Sequence, residues 1–218
     1  MKKSNTHRLF PLLLLLLAVS CKKDCPAPGQ LAETPNASFE GIPAQGTNPD
    51  DFNLNSWKNC GFPGQTPPEI HPGEGEGFFG VTTLPYDGET YLGLVVRDND
   101  TWEAVGSMLG TPLVANQQYK FSIAACRSDV YQLLGNQVSS FRSAVRLRIW
   151  GGNDFCADEE LLAQSETVTN TEWELLNFTI KPSKQLQYVK LEAFYKEGSL
   201  FPYNGNILLD KASAFEPF

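Results

Sequence analysis

Histidine is almost missing from this chain: 218 residues hold two, His7 and His71. A nucleophile activated by an imidazole therefore has one candidate base, His71, once His7 falls in the leader described below. Basic residues are outnumbered, 17 against 25 acidic ones, and the net charge is −8. A chain of that sign repels phosphate backbones, and it shows no basic patch dense enough to reverse this, so nucleic acid is excluded as a partner. The five cysteines include no Cys-x-x-Cys spacing, which removes zinc ribbons and thioredoxin-type exchange. No long stretch has helical spacing, and no repeat of fixed period is present. The apolar run "LFPLLLLLLAVS", Leu9 to Ser20, has twelve residues, short of the roughly 20 that a membrane-spanning helix needs.

That run is preceded by Lys2, Lys3 and Arg8 and ends in small residues, so residues 1–20 read as a secretory signal. "LAVSC" resembles the lipobox of bacterial lipoproteins, with Val19 a less usual choice, and the resemblance implies that Cys21 becomes the lipidated, palmitate-bearing N-terminus. "CKKDC" resembles the charged segments that follow the lipidated cysteine in Bacteroidetes surface lipoproteins. Several acyl chains on one cysteine give stable anchoring, so the resemblance implies a membrane partner through the lipid and an outer-membrane location, surface-exposed or facing the periplasm. Residues 21–35 then form a tether, polar and Pro-containing. Removing Lys2, Lys3 and Arg8 leaves 14 basic against 25 acidic residues, net −11. The remaining length suits one domain, 36–218.

Setting Cys21 aside leaves Cys25, Cys60, Cys126 and Cys156, which permit three pairings. An exported chain meets an oxidising compartment. Cys60 and Cys156 lie in Gly/Asn-rich loops and are the favoured pair. Cys126, inside the apolar "FSIAAC", also reads as a small buried side chain.

From Asn36 onward the chain reads as short strands between turn residues: 89–97, 101–109, 118–126, 143–150, 172–181, 187–195 and 206–215. "SAVRLRIW" alternates cleanly, with Val145, Leu147 and Ile149 on one face and Arg146, Arg148 and Trp150 on the other. Many short strands without helices predict an all-β fold, a β-sandwich of jelly-roll type. The segment from Trp57 to Pro85, dense in Pro and Gly, is expected to be one long decorated loop packed on the sandwich.

Several motifs invite a chemical reading. Gly75, Gly77 and Gly80 spell G-x-G-x-x-G, but no strand precedes them and no helix follows, so a dinucleotide site is not supported. There is no G-x-S-x-G elbow, and His71, between Ile70 and Pro72, reads as a loop residue. Paired carboxylates such as Glu74 with Glu76, or Asp158, Glu159 and Glu160, could serve a glycan hydrolase, though they also read as solvated surface charge. Sugar recognition uses aromatic faces beside hydrogen-bonding groups. The stripe of Arg146, Arg148 and Trp150 is the leading ligand-binding candidate, with Trp102 and Tyr131 secondary. The same stripe could instead pair with acids on a neighbouring strand, such as Glu172 or Glu192. Trp57 and Trp173 read as core.

"NASFEG" resembles the opening strand of carbohydrate-binding modules with the galactose-binding-like jelly roll, and "ILLDKASAF" resembles their closing strand. The likeness extends to "TYLGLVVRDNDTWEAVGSMLGTPLVANQQYKFSI" and "LRIWGGNDFCADEELLAQSETVTNTEWELLNFTI", and so covers almost the whole chain after the tether. It implies a structural calcium (Ca2+) held by Glu40 and Asp210 between the chain ends. Calcium takes six to eight oxygens. The residues alone leave open a Glu and an Asp that bond backbone amides instead. The expected function is non-catalytic binding of a glycan. The alternatives are a structural module with protein partners in the envelope, or a carboxylate-based glycan hydrolase.

Overall fold

The computed structural model describes residues 29–48, 52–74, 77–133 and 139–218. The leader, Cys21 and Cys25 lie outside these residues, as do Gly75 and Glu76. The strands in chain order are β1 (Trp57–Asn59), β2 (Glu69–Pro72), β3 (Thr90–Val96), β4 (Ala104–Leu113), β5 (Tyr119–Cys126), β6 (Gln132–Leu133), β7 (Ser139–Ser140), β8 (Ser143–Ala144), β9 (Arg146–Gly152), β10 (Glu160–Gln164), β11 (Glu174–Ile180), β12 (Leu186–Phe194), β13 (Gly205–Asp210) and β14 (Glu216–Pro217). One sheet runs β1-β4-β12-β9-β10; the other runs β11-β5-β13-β3-β2, with β14 on β5 and β8 on β13. The long pairings are antiparallel. The fold is an all-β jelly-roll sandwich.

The alternation legible in β9 decides its orientation. Leu147 and Ile149 are fully buried, while Arg146, Arg148 and Trp150 are only partly so. Between the sheets, Val105, Leu109, Leu147, Ile149, Val189 and Leu191 of the first meet Leu92, Leu94, Phe121, Ile123, Ile207 and Leu209 of the second. This is the expected interleaving of two inner faces. Strand β3 is buried at every position, because its outer side is covered too. Tyr91 and Val95 join Val81, Cys126, Tyr131, Phe141 and Leu208 in a second, smaller apolar cluster, with Phe79 and Trp173 packed on it. Cys126 is free and buried, and burial pushes its thiol up to about 12.

Two expectations are corrected. "NASFEG" is not a strand. Residues 35–38 form a turn, and Asn36 and Phe39 take left-handed backbone angles, φ 49° and 51°. The Asn36 side chain closes the turn, accepting from Glu40 N (2.9 Å) and donating to Glu40 O (2.9 Å), as a short polar side chain can. A left-handed Phe is costly. Here the ring of Phe39 is fully buried and packs 5.1 Å from that of Trp57. The second correction concerns Trp57 to Pro85, which is not one loop: it contributes β1 and the edge strand β2. His71 therefore lies in a strand, opposite Tyr91 of β3. Strands of three or four residues, one of them bounded by Pro68 and Pro72, are too short to show a readable period.

The first and last segments of the sandwich meet. Ala32 bridges to Phe215, Thr34 Oγ1 donates to Ser213 O (3.1 Å), and Ala212 N donates to Ala37 O (2.8 Å).

Candidate functional site

The outer face of the five-stranded sheet is built by register. One transverse row reads Lys58, Gly106, Lys190, Trp150 and Leu161, from β1 through β4, β12 and β9 to β10. The next row holds Ala104, Glu192, Arg148 and Gln164, and Phe194 sits opposite Arg146 in the row beyond. Period-2 alternation on β9 and β12 sends these side chains outward. The structure thus brings Arg146, Arg148 and Trp150 together, but they do not stand free.

Glu192 is their hub, 3% exposed. It accepts from Trp150 Nε1 (3.1 Å), and its carboxylate lies 3.6 Å from Arg148 Nη1 and 3.3 Å from Lys190 Nζ. Lys190 Nζ also reaches Asp158 (3.5 Å) and lies 5.6 Å from the Trp150 ring centre. The Arg148 guanidinium stacks 3.2 Å from the centre of the Phe194 ring, an electrostatically favourable seat. Arg146 Nε donates to Tyr195 O (2.9 Å). Burial pulls the Arg148 guanidinium down from its ordinary value, opposed by Glu192. The sheet face therefore holds a preformed, mutually bonded set of donors and acceptors around a half-buried indole.

Both ends of this face are walled. At one end Cys60 and Cys156 form a disulfide. A side chain at Gly106 would come within 2.9 Å of Cys60 Sγ, so glycine there lets the bridge lie on the sheet. Phe155 packs edge-on against Tyr188 (4.7 Å), and Lys58 Nζ sits 4.0 Å from the centre of the Phe155 ring. At the other end Trp102 meets Phe62 (4.8 Å) and Phe194 (4.9 Å). Sequence reasoning named Trp102 but missed Lys190, Tyr188, Phe155 and Phe194. The alternation in "QYVKLEAFY" was the available signal, once β12 is known to pair with β9.

Tyr131 belongs elsewhere. It is 2% exposed and lies in the second apolar cluster, on the outer side of the other sheet. Trp57 is buried in the main core, and Trp173 is half-buried, donating to Leu84 O (2.7 Å).

Glu40 and Asp210 grip one turn from two sides. Glu89 N donates to Glu40 Oε1 (3.0 Å) and Oε2 (3.2 Å). Asp210 Oδ2 accepts from Tyr86 N (2.8 Å) and Asp87 N (2.9 Å), and its Oδ1 accepts from Lys211 N (2.7 Å). N–H groups meet these oxygens, and among the described residues no cluster of three or more His, Cys, Asp or Glu side chains is placed to hold a metal. Calcium takes converging oxygens, whereas the closest contacts of Glu40 and Asp210 here are with backbone N–H groups.

Glu159 and Glu160, two of the nominated catalytic acids, are engaged as well. Glu159 pairs with Lys184, which holds its carboxyl below the ordinary value, the opposite of what a general acid needs. Glu160 accepts from Ser183 N (2.8 Å) and Oγ (2.8 Å). His71 is fully buried, stacked on Tyr91 at 5.1 Å, with both ring nitrogens unpartnered. Burial lowers its pKa to about 3. A histidine depressed in the folded state stabilises the fold above its unfolded pKa near 6.5 and withdraws that stability as pH falls. Measured against His71→Phe in urea titrations, the native protein should lose about 1.4 kcal/mol per pH unit on descending from about 6.5. A constant difference between the two across pH 6.5 to 4.5 would contradict this burial.

No protein-family model and no curated protein matches the chain, whereas solved structures do. The K2 cleaved adhesin domain of Lys-gingipain aligns over 84% of this chain and 96% of its own, at 10% identity and a TM-score of 0.50. The arabinose-bound MgGH51 α-L-arabinofuranosidase aligns over 86% of this chain at 13% identity and a TM-score of 0.50, yet this chain spans only 26% of it. The CBM22-1 xylan-binding domain of Xyn10C from Paenibacillus barcinonensis aligns over 88% of this chain and 97% of its own, at 14% identity and a TM-score of 0.43. At these identities the two likenesses with a TM-score of 0.50 bear on the fold alone.

Proposed function

We propose that the protein is a non-catalytic glycan-binding module of the cell envelope, and that the outer face of the five-stranded sheet receives the glycan. The observation that carries this is the Trp150 indole, fixed by Glu192 and set between Lys190 and Arg148. An aromatic ring beside fixed donors and acceptors suits a pyranose, whose ring hydrogens are apolar and whose rim is hydroxylated. The face carries Lys58, Arg146, Arg148 and Lys190 against Asp158, Glu192 and Glu197. In a chain of net −8 that local balance favours neutral or mildly acidic glycans over cationic ones. The lipobox-like "LAVSC" supports a lipid anchor at Cys21, which would present the domain at the outer membrane.

A glycan array probed with the protein tests the reading. Trp150→Ala should weaken any hit at least about tenfold, the scale of one lost aromatic contact with its hydrogen bonds. An unchanged affinity would move the site off this face. A second reading, a protein-interaction module, is favoured by Leu200 and Phe201, 88% and 80% exposed in the β12–β13 turn. An array without hits would favour it.

A further inference from the structure

The ion pairs on the outer face of the five-stranded sheet differ from those elsewhere. Lys190 Nζ stands 3.3 Å from Glu192 and 3.5 Å from Asp158, Arg148 Nη1 stands 3.6 Å from Glu192, and Arg146 Nη1 stands 3.9 Å from Glu197. Other pairs among the described residues are shorter: Arg127 meets Asp129 at 2.6 Å, Lys184 meets Glu159 at 2.5 Å and Lys211 meets Asp87 at 3.2 Å. A charge-assisted N–H···O bond closes to about 2.7–2.9 Å. The cations of this face are therefore neutralised at a distance and keep donor capacity in reserve, an ammonium having three N–H groups and a guanidinium five.

The acids of the face are unequal. Glu192 is built in: it is buried, accepts from Trp150 Nε1, and already faces both Arg148 and Lys190. Asp158 and Glu197 supply the rest of the balance from the rim, with side chains 66% and 87% exposed. Solvent-exposed pairs contribute little, so parting these two from their cations costs little. Without them, Arg146, Arg148 and Lys190 stand against one buried carboxylate. Lys190 Nζ lies 5.6 Å from the centre of the Trp150 ring, within reach of a substituent on a sugar that rests on the indole.

We propose that the glycan is acidic and that the sugar resting on Trp150 is a uronic acid whose carboxylate bonds to Lys190 Nζ in place of Asp158. This rests on the glycan reading above and adds the class of sugar. The displaced group is itself a carboxylate, so the incoming one matches it in charge and shape. Arg148 and Arg146 follow Trp150 along β9 in steps of about 7 Å, and they attract acid groups further along the chain.

The test is a calorimetric titration with oligogalacturonate, oligomannuronate and glucuronate-substituted xylan fragments, each beside its carboxyl-reduced counterpart, and with a sulfated galactan oligosaccharide. At least one acidic fragment should bind, and reducing its carboxyls should weaken it about tenfold or more, the worth of one hydrogen bond to a charged group. Asp158→Asn removes the competing carboxylate at an exposed position. It should tighten the acidic fragment about twofold to fivefold, the scale of an exposed ion pair, and leave the reduced one unchanged. Added salt should weaken the acidic fragment alone. Lys190→Gln, with its fold checked by melting temperature, should bring the two forms to equal affinity. Equal affinity of the native protein for acidic and reduced fragments, or an Asp158→Asn variant that binds no tighter, would overturn the inference and leave the glycan reading standing. Preference for the sulfated fragment over every uronate would also overturn it. Binding of neither form would sink the glycan reading itself, and this inference with it.

Discussion

Asp210→Ala is expected to lower the unfolding free energy by about 3–5 kcal/mol, because a fully buried carboxylate that gathers three backbone N–H groups disappears. The amides of Tyr86, Asp87 and Lys211 lose their acceptor together. The turn that holds Tyr86 and Asp87 is the one Glu40 grips from its other side through Glu89 N. Losing Asp210 therefore also loosens the closure between the start and the end of the sandwich. In a domain of this size each kcal/mol moves the melting temperature by about 2–4 °C, so a fall of about 6–20 °C should appear by calorimetry. Asp210→Asn keeps one acceptor oxygen and should cost less. We further propose that amides rather than calcium satisfy these two acids. A ligand bound only by the folded state raises stability by mass action, so calcium and EGTA should leave the midpoint of the native protein unchanged. A rise with calcium that vanishes in Asp210→Ala would reverse this assignment.

Opening the Cys60–Cys156 bridge should cost about 2–5 kcal/mol. The bridge spans 96 residues of sequence, and closing a loop of that length removes much of the freedom of the unfolded chain. It also ties β1 to the segment after β9. That segment carries Phe155, which packs on Tyr188, and Asp158, which pairs with Lys190. The Cys60→Ser/Cys156→Ser double variant should unfold at clearly lower urea than the oxidised protein, and dithiothreitol should shift the native protein to the same midpoint. Equal midpoints would show that the bridge adds nothing to stability. The variant should also bind glycan more weakly, since one wall of the sheet face would loosen.

The parts of the molecule legible in its sequence are those decided by local alternation. "SAVRLRIW" announces a strand with Leu147 and Ile149 inward and Arg146, Arg148 and Trp150 outward, and that is how β9 lies. The run "TYLGLVV" is legible as a strand; its lack of alternation reflects a sheet covered on both sides. Contacts between distant segments were harder to read. Glu192 was one of two acids weighed as partners of the stripe, and only the β12–β9 register selects it over Glu172. Phe39 was placed in a strand by the resemblance of "NASFEG" to an opening strand. Its left-handed backbone is imposed by the Asn36 turn and by packing on Trp57. Tyr131 flanks polar sequence yet is buried, because the segments around it fold back over the outer side of β3.

The central claim is that the outer face of the five-stranded sheet receives a glycan. Chemical-shift mapping with a glycan taken from the array tests it most directly. The account predicts saturable shifts concentrated on the Trp150 indole N–H and on the amides of Arg148, Lys190 and Glu192. Shifts that leave these four positions still and gather elsewhere would contradict it.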